Sequence, residues 1–496
     1  MSDAWVQAFS LVFEPYNMAV MLAASLFGLF VGAVPGLTAT MATALLVPVT
    51  FFMAPIPAIA AIVTATAMAI FSGDIPGCLL RMPGTPASAA YTDEAYAMTR
   101  KGQAELALGA GLVFSAVGGL FGTAVLIVAA PTLAEFALRF SSFEYFWLVL
   151  LGLTCAVFMT SDRPVKGFVS LLLGLLIAGV GLGNPAGFPR FTFGSTELLG
   201  GIGMIPLMIG MFAISEIFRY AVDTNPQMHV ADQSIGNVFR GMWRLAVKYP
   251  VQILRGSTLG TLVGGLPGAG ADIAAWMSYA ISKKFSKEPE KFGTGHVEGI
   301  VESGAANNSA LAGAWIPALV FGIPGDSITA IVIGVLYMKN MNPGPSLFTN
   351  DPQKIYAVFL LFIIANLIMI PLGFLCIKAA KRILKVPRNV LMPVIMLFCV
   401  VGAFAINNTA FDVTVMLVAG VAAFVLERNG FPIAPAILGV VLGGMLEENF
   451  VTSMIKADGD WFAFFERPVA ATLGALTLAV WFLPILLRRL RQVARA

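Results

Sequence analysis

Apolar residues run along this chain in long blocks separated by short polar or basic intervals. Leu198 to Phe218, Ile355 to Cys376 and Ala470 to Leu487 each approach or exceed the ~20 residues that cross a ~30 Å hydrocarbon layer as a helix. Backbone groups find no water partner at that depth, so helices must dominate. The blocks predict crossings at about 55–72, 104–129, 142–161, 165–183, 198–218, 299–321, 355–376, 389–405, 410–426, 432–446 and 468–487. One apolar stretch does not read as a plain crossing. "GGLPGAGA" (264–271) sets a Pro-Gly pair and two more glycines inside it, the wrong chemistry for a continuous helix.

Charge suggests how that stretch is disposed. Lys248 and Arg255 precede it, and Lys283 and Lys284 follow, so under the positive-inside rule both flanks face the cytoplasm. A re-entrant hairpin satisfies both, with arms of about 10 residues rising about 15 Å, half the hydrocarbon thickness, and Pro267 and Gly268 at its tip. A single kinked crossing is the competing reading, because Pro and Gly are tolerated in membrane helices. Further basic clusters mark cytoplasmic loops at Arg81, Arg100 and Lys101, at Arg163 and Lys166, at Lys378 to Arg388 and at Arg488 to Arg495. Met1 to Leu80 has no Lys, Arg or His, so the ends of an earlier hairpin there are placed outside.

That earlier hairpin is signalled by self-similarity. "FVGAVPGLTA" (30–39) aligns with "LVGGLPGAGA" (262–271), and "MPGTPASAA" (82–90) with "IPGDSITAI" (323–331), in the same order. An odd number of crossings separates the hairpins, which inverts the second copy. The expected fold is an all-α polytopic membrane protein with two inverted-topology repeats, each carrying a re-entrant helical hairpin and a broken transmembrane helix, with about 11–12 crossings in all. The first repeat covers 1–218 (hairpin about 18–53, broken segment about 55–90), a cytoplasmic linker or arm covers 219–255, and the second repeat covers 256–496 (hairpin about 256–281, broken segment about 299–338). The amino terminus then lies in the periplasm and the basic carboxyl terminus in the cytoplasm.

Composition agrees. Of 496 residues 58% are hydrophobic and 11% charged, against about 25% charged in ordinary soluble domains. The start lacks the basic n-region and cleavage site of a signal peptide, so Tyr16 onward is expected to be retained. Cys78, Cys155, Cys376 and Cys399 have neither disulfide nor metal spacing, no cofactor is expected, and the net charge of +3 leaves no nucleic-acid footprint.

Inverted repeats whose helices break near the midplane are secondary-transporter architecture. Each Pro-Gly loop frees carbonyls that suit a cation and N–H groups that suit an anion. The candidate substrate and ion site is therefore Pro35, Gly36, Thr38 and Thr40 at the first tip and Pro83, Gly84, Thr85 and Ser88 at the first break. In the second half it is Pro267, Gly268, Gly270 and Asp272 at the tip and Pro324, Gly325, Asp326, Ser327 and Thr329 at the break, with Asn307 and Asn308 on the helix between. Helix capping explains Asp272 and Asp326 equally well. Asn307–Asn308 could be interhelical hydrogen-bonding glue, and Glu302 should be paired, protonated or functional. "PGAGA" departs from the dinucleotide fingerprint at Ile273 and follows no strand.

Four stretches, 32–51, 81–111, 260–284 and 292–336, together resemble the large membrane subunit of the tripartite tricarboxylate transporter family. The resemblance implies a bacterial inner-membrane, secondary-active importer of small carboxylates. It also implies a small membrane subunit and a periplasmic solute-binding protein as partners, and Na+ as coupling ion, here expected near Asn307, Asn308 and Asp326. The family often carries a carboxylate where this chain has Gly304. Two other classes compete. A passive anion channel would also use re-entrant loops. An intramembrane hydrolase needs paired aspartates or a Ser-His pair, whereas His229 and His296 lie in predicted loops and no GxGD, HExxH or Walker A stretch occurs; an enzyme is not expected.

Overall fold

The computed structural model describes residues 2–159, 163–183, 187–222, 236–384 and 388–493, and among these all extended regular structure is helical. The helices are α1 (Ser2–Val12), α2 (Pro15–Ala33), α3 (Ala39–Phe51), α4 (Pro55–Ser72), α5 (Asp74–Leu80), α6 (Pro86–Ala89), α7 (Thr92–Arg100), α8 (Ala104–Ala137), α9 (Ser142–Met159) and α10 (Pro164–Ala178). There follow α11 (Met204–Ile209), a π turn leading into α12 (Ser215–Val222), α13 (Met242–Lys248), α14 (Pro250–Gly264), α15 (Gly270–Phe285), α16 (Val297–Phe321) and α17 (Ser327–Met338). Last come α18 (Pro345–Asn350), α19 (Pro352–Ile383), α20 (Arg388–Asn407), α21 (Ala410–Arg428), α22 (Ile433–Lys456) and α23 (Pro468–Val493). Part of the expected arm at 219–255 falls on 223–235, outside the described residues.

Among the described residues eight helices are long and apolar enough to cross a membrane. Seven coincide with expected crossings, and the eighth, Pro15–Ala33, is the first arm of the first hairpin. The expected crossings at 142–161, 165–183 and 468–487 are shorter apolar helices, and that at 299–321 is α16, too polar to qualify.

The chain forms two compact units, 1–134 with 205–424, and 135–204 with 425–496. The first contains both hairpins, and glycines explain their packing. On α2, a Cβ added to Gly28 would lie 2.2 Å from the Ala65 carbonyl oxygen of α4, and one on Gly32 2.3 Å from that of Ala69. On α14, Gly256, Gly260 and Gly264 stand in the same relation to Glu302, Ala306 and Ala310 of α16, at 2.2, 2.3 and 2.2 Å. Small residues every fourth position let backbones touch, the usual device of membrane helix pairs. Residue numbers rise together across both contacts, so α2 runs parallel to α4 and α14 parallel to α16.

The second arms run the other way. Thr43 on α3 meets Thr66 on α4 at 3.0 Å (Oγ1 to Oγ1), while Leu46 shares a core cluster with Ala61. Ser278 on α15 donates to the Glu302 carbonyl at 3.2 Å, while Gly270 lies against Asp326, which caps α17 just past the far end of α16. Both Pro-Gly stretches are thus true hairpins and not kinked crossings. Their arms exceed the expected 10 residues: 19 and 13 in the first, 15 and 16 in the second. The glycine stripes allow this length, because the arms lie against protein along their course.

In the second unit α10 crosses α22 through Gly174, where a Cβ would meet the Ala436 carbonyl at 1.9 Å. Phe146, Trp147, Phe450 and Phe464 interlock beside α9, and Arg190 makes a bidentate ion pair with Glu447 at 2.8 and 2.7 Å.

Candidate functional site

Each half of the first unit brings a hairpin tip onto a Pro-Gly break. The tips turn at Gly36 (φ 89°) and Gly268 (φ 81°), in the left-handed region that glycine enters without strain. Gly84 lies so close to the first hairpin that a Cβ there would meet the Gly32 carbonyl oxygen at 2.6 Å. Gly325 meets that of Gly264 at 2.5 Å, and its own carbonyl accepts from Gly268 N–H at 2.7 Å.

The residues after the breaks are helix caps. Thr85 Oγ1 accepts from Ser88 N–H at 3.2 Å and Ser88 Oγ accepts from Thr85 N–H at 3.1 Å. Asp326 and Thr329 form the same reciprocal capping box at 2.8 and 2.9 Å. Thr38 caps α3 through Met41 N–H at 3.1 Å. Asp272 does not cap its own helix; it sits in the first turn of α15, which packs against α6.

The halves interlock at this point. α15 packs on α6, and α3 packs on α17, so each second arm touches the other half's break. Lys339 at the end of α17 donates to the Phe51 and Met53 carbonyls at the end of α3, both at 2.7 Å. The two tips differ in charge. Asp272 is exposed and Asp326 half-buried beside Gly270, whereas Thr38 and Thr40 are half-buried and Thr85 and Ser88 buried around the first. Pro83 and Gly36 are exposed, Pro267 and Ser327 half-buried, and Pro35 and Pro324 buried.

α16 runs through the middle, and all its residues except Val297, Ile316 and Phe321 are buried. Its polar side chains are placed by neighbours from every side. Arg255 of α14, which charge counting assigns to a loop flank, lies within the helix and grips Glu302 bidentately at 2.6 and 2.6 Å. Glu298 accepts from Gln252 at 2.8 Å and from Ser286 at 2.7 Å. Glu94 of α7 accepts from Tyr279 Oη at 2.8 Å and from the Gly295 and His296 N–H groups at 2.7 and 2.7 Å, where α16 begins. Asn307 and Asn308 bond to residues outside the tips and breaks: Asn307 Nδ2 donates to Tyr91 Oη at 3.3 Å, and Asn308 Nδ2 to Ser115 Oγ at 2.8 Å. Tyr91 also donates to Asp74 at 2.6 Å. Sequence reasoning passed over Asp74, Tyr91 and Ser115; a lone acid in the apolar run 55–80 was the available signal for Asp74.

This arrangement of tips, breaks and central polar helix lies within residues 18–438, which match the Tripartite tricarboxylate transporter TctA family. The chain belongs to the tripartite tricarboxylate transporter TctA family. Over 471 residues it is 34% identical to an uncharacterised 52.8 kDa protein of the TAR-I ttuC′ 3′ region of Agrobacterium vitis, which covers 95% of this chain and 93% of that protein. A second relative, an uncharacterised protein of the TAR-II ttuC′ 3′ region of the same organism, is 37% identical over 227 residues, 46% of this chain and 94% of its own. No solved structure matches the chain. TctA proteins are a transporter family and not an enzyme family, and this member is a multi-pass membrane component of such a transporter.

Proposed function

We propose that this TctA protein is the large permease subunit of a bacterial inner-membrane importer of small carboxylates, working with a small membrane subunit and a periplasmic solute-binding protein. Uptake is driven by sodium through alternating access, with the hairpins and broken helices moving as one body against the remaining helices. The observation that carries this reading is the meeting of two hairpin tips with two Pro-Gly breaks, each tip resting on one break and each second arm on the other. Broken backbone at membrane depth survives only where it lines a cavity, and paired breaks are how secondary transporters build a central site.

The chemical difference between the tips supports a division of labour. Asp272 and Asp326 repel an anion and attract a cation. The hydroxyl-lined first tip, Thr38, Thr40, Thr85 and Ser88, carries no charge and accommodates a carboxylate.

The test is accumulation of a panel of labelled di- and tricarboxylates and aromatic acids by vesicles holding the full three-component system. Uptake of one class should require an inward sodium gradient and be lost in Asp272→Asn. Flux that ignores the gradient would replace this reading with a passive pore.

A further inference from the structure

Asp74 is the first residue of α5, which follows directly on α4, and is 6% exposed. Its Oδ1 accepts from Tyr91, but its Oδ2 has no hydrogen-bond partner, and no basic side chain among the described residues pairs with it. Asn307 uses its Nδ2 on the same Tyr91 hydroxyl and leaves its Oδ1 unpartnered. Asn308, held by Ser115 of α8, likewise leaves Oδ1 bare. The cluster therefore has a surplus of acceptor oxygens, one of them on a carboxyl group able to carry a negative charge, all buried.

Buried acceptors without donors are costly, and a buried carboxylate without a partner more so. Positive charge coordinated by oxygen is what the set lacks. One carboxylate balances one charge, so the fitting occupant is a monovalent ion that takes oxygen ligands. Glycines clear its flank: a Cβ on Gly111 of α8 would lie 2.9 Å from Asp74 Oδ2, and one on Gly304 of α16 would meet only the Gly111 backbone, at 3.9 Å.

We propose that Asp74 Oδ2 and Asn307 Oδ1 hold a monovalent cation of sodium size between the two halves, with Tyr91 as the positioning residue that fixes both side chains. Neither of the tip acids Asp272 and Asp326 is among its ligands. Because Asp74 comes from the first half and Asn307 from the second, occupancy ties the halves together. Only the use of the ion in coupling rests on the transport reading above; binding is a property of the isolated chain.

The experiment is thermal unfolding of the purified full chain in detergent, titrated with NaCl against KCl and choline chloride at constant ionic strength. The wild type should show a sodium-specific rise in Tm that grows with concentration. In Asp74→Asn the apparent Kd for Na+ should weaken at least tenfold. Gly111→Ala keeps the carboxylate and presses a methyl group on Oδ2, so it should weaken binding as well, and it decides the matter alone if Asp74→Asn does not fold. A sodium-specific rise that survives in the foldable variants overturns the site, and so does its absence from the wild type. Sodium binding lost in these variants alongside uptake that ignores sodium would uphold the site and sink the coupled-transport reading.

Discussion

Asn308 Nδ2 approaches the Ala67 carbonyl oxygen at 3.5 Å, and Ala67 is the residue that stands in the first half where Asn308 stands in the second. The glycine contacts set this register: Gly28 and Gly32 face Ala65 and Ala69 as Gly260 and Gly264 face Ala306 and Ala310. The two residues meet where α4 packs against α16.

Asp326 offers a cap and a charge, and the two can be separated. Asp326→Asn retains a capping side chain, whereas Asp326→Ala removes it at a cost of ~0.5–2 kcal/mol. The Ala variant should lower Tm clearly and the Asn variant little, while both lose sodium-driven uptake. Full uptake by Asp326→Asn would reduce this residue to a cap like Thr85.

Backbone contact at the breaks leaves no room for a side chain. Gly84→Ala and Gly325→Ala should each cost about 1–3 kcal/mol by overpacking and abolish uptake. Gly183→Ala and Gly444→Ala, where a Cβ meets nothing within 4 Å, should behave as wild type. Equal melting of all four variants would refute the close approach.

The Arg255–Glu302 pair joins α14 to α16, with the Glu302 side chain 0% exposed. Arg255→Ala should destabilise by about 3–5 kcal/mol because it strands a buried carboxylate. Arg255→Met combined with Glu302→Leu should recover most of that loss. Denaturant unfolding of the three proteins checks it; additive losses would show that the two residues act independently.

Inversion of the halves is read out by topology. In a background without Cys78, Cys155, Cys376 and Cys399, Phe193→Cys should react with a membrane-impermeant thiol reagent from the periplasm, and Lys287→Cys from the cytoplasm. Both positions are exposed, Phe193 at 90%. Labelling of both from one side would rule the inversion out.

Much of the centre was legible because Pro-Gly pairs in apolar runs have few uses, and their ordered recurrence at 35–36, 83–84, 267–268 and 324–325 marked the tips and breaks. What stayed hidden depended on partners distant in sequence. Gly28, Gly32, Gly256, Gly260 and Gly264 were visible as glycines, but that they face backbone emerges only when α4 and α16 lie alongside. Arg255 counted as a loop charge because charge counting cannot see Glu302 forty-seven residues later. Asp74 stood alone in an apolar stretch, and its meaning came from Tyr91 and Asn307.

The burial of α16 bears on how the protein is made. A helix carrying Glu298, Glu302, Asn307 and Asn308 partitions poorly into lipid on its own, since each charged residue mid-helix opposes insertion. Apart from Met369, whose Sδ Asn308 approaches at 3.5 Å, the partners named for it precede it in the chain: Ala67, Tyr91, Glu94, Ser115, Gln252 and Arg255. By the time α16 leaves the ribosome, the groups that satisfy its polar side chains have already been synthesised. The amino-terminal half together with α14 thus acts as the solvent into which α16 is delivered, and the order of the two halves along the gene becomes part of what makes the fold attainable.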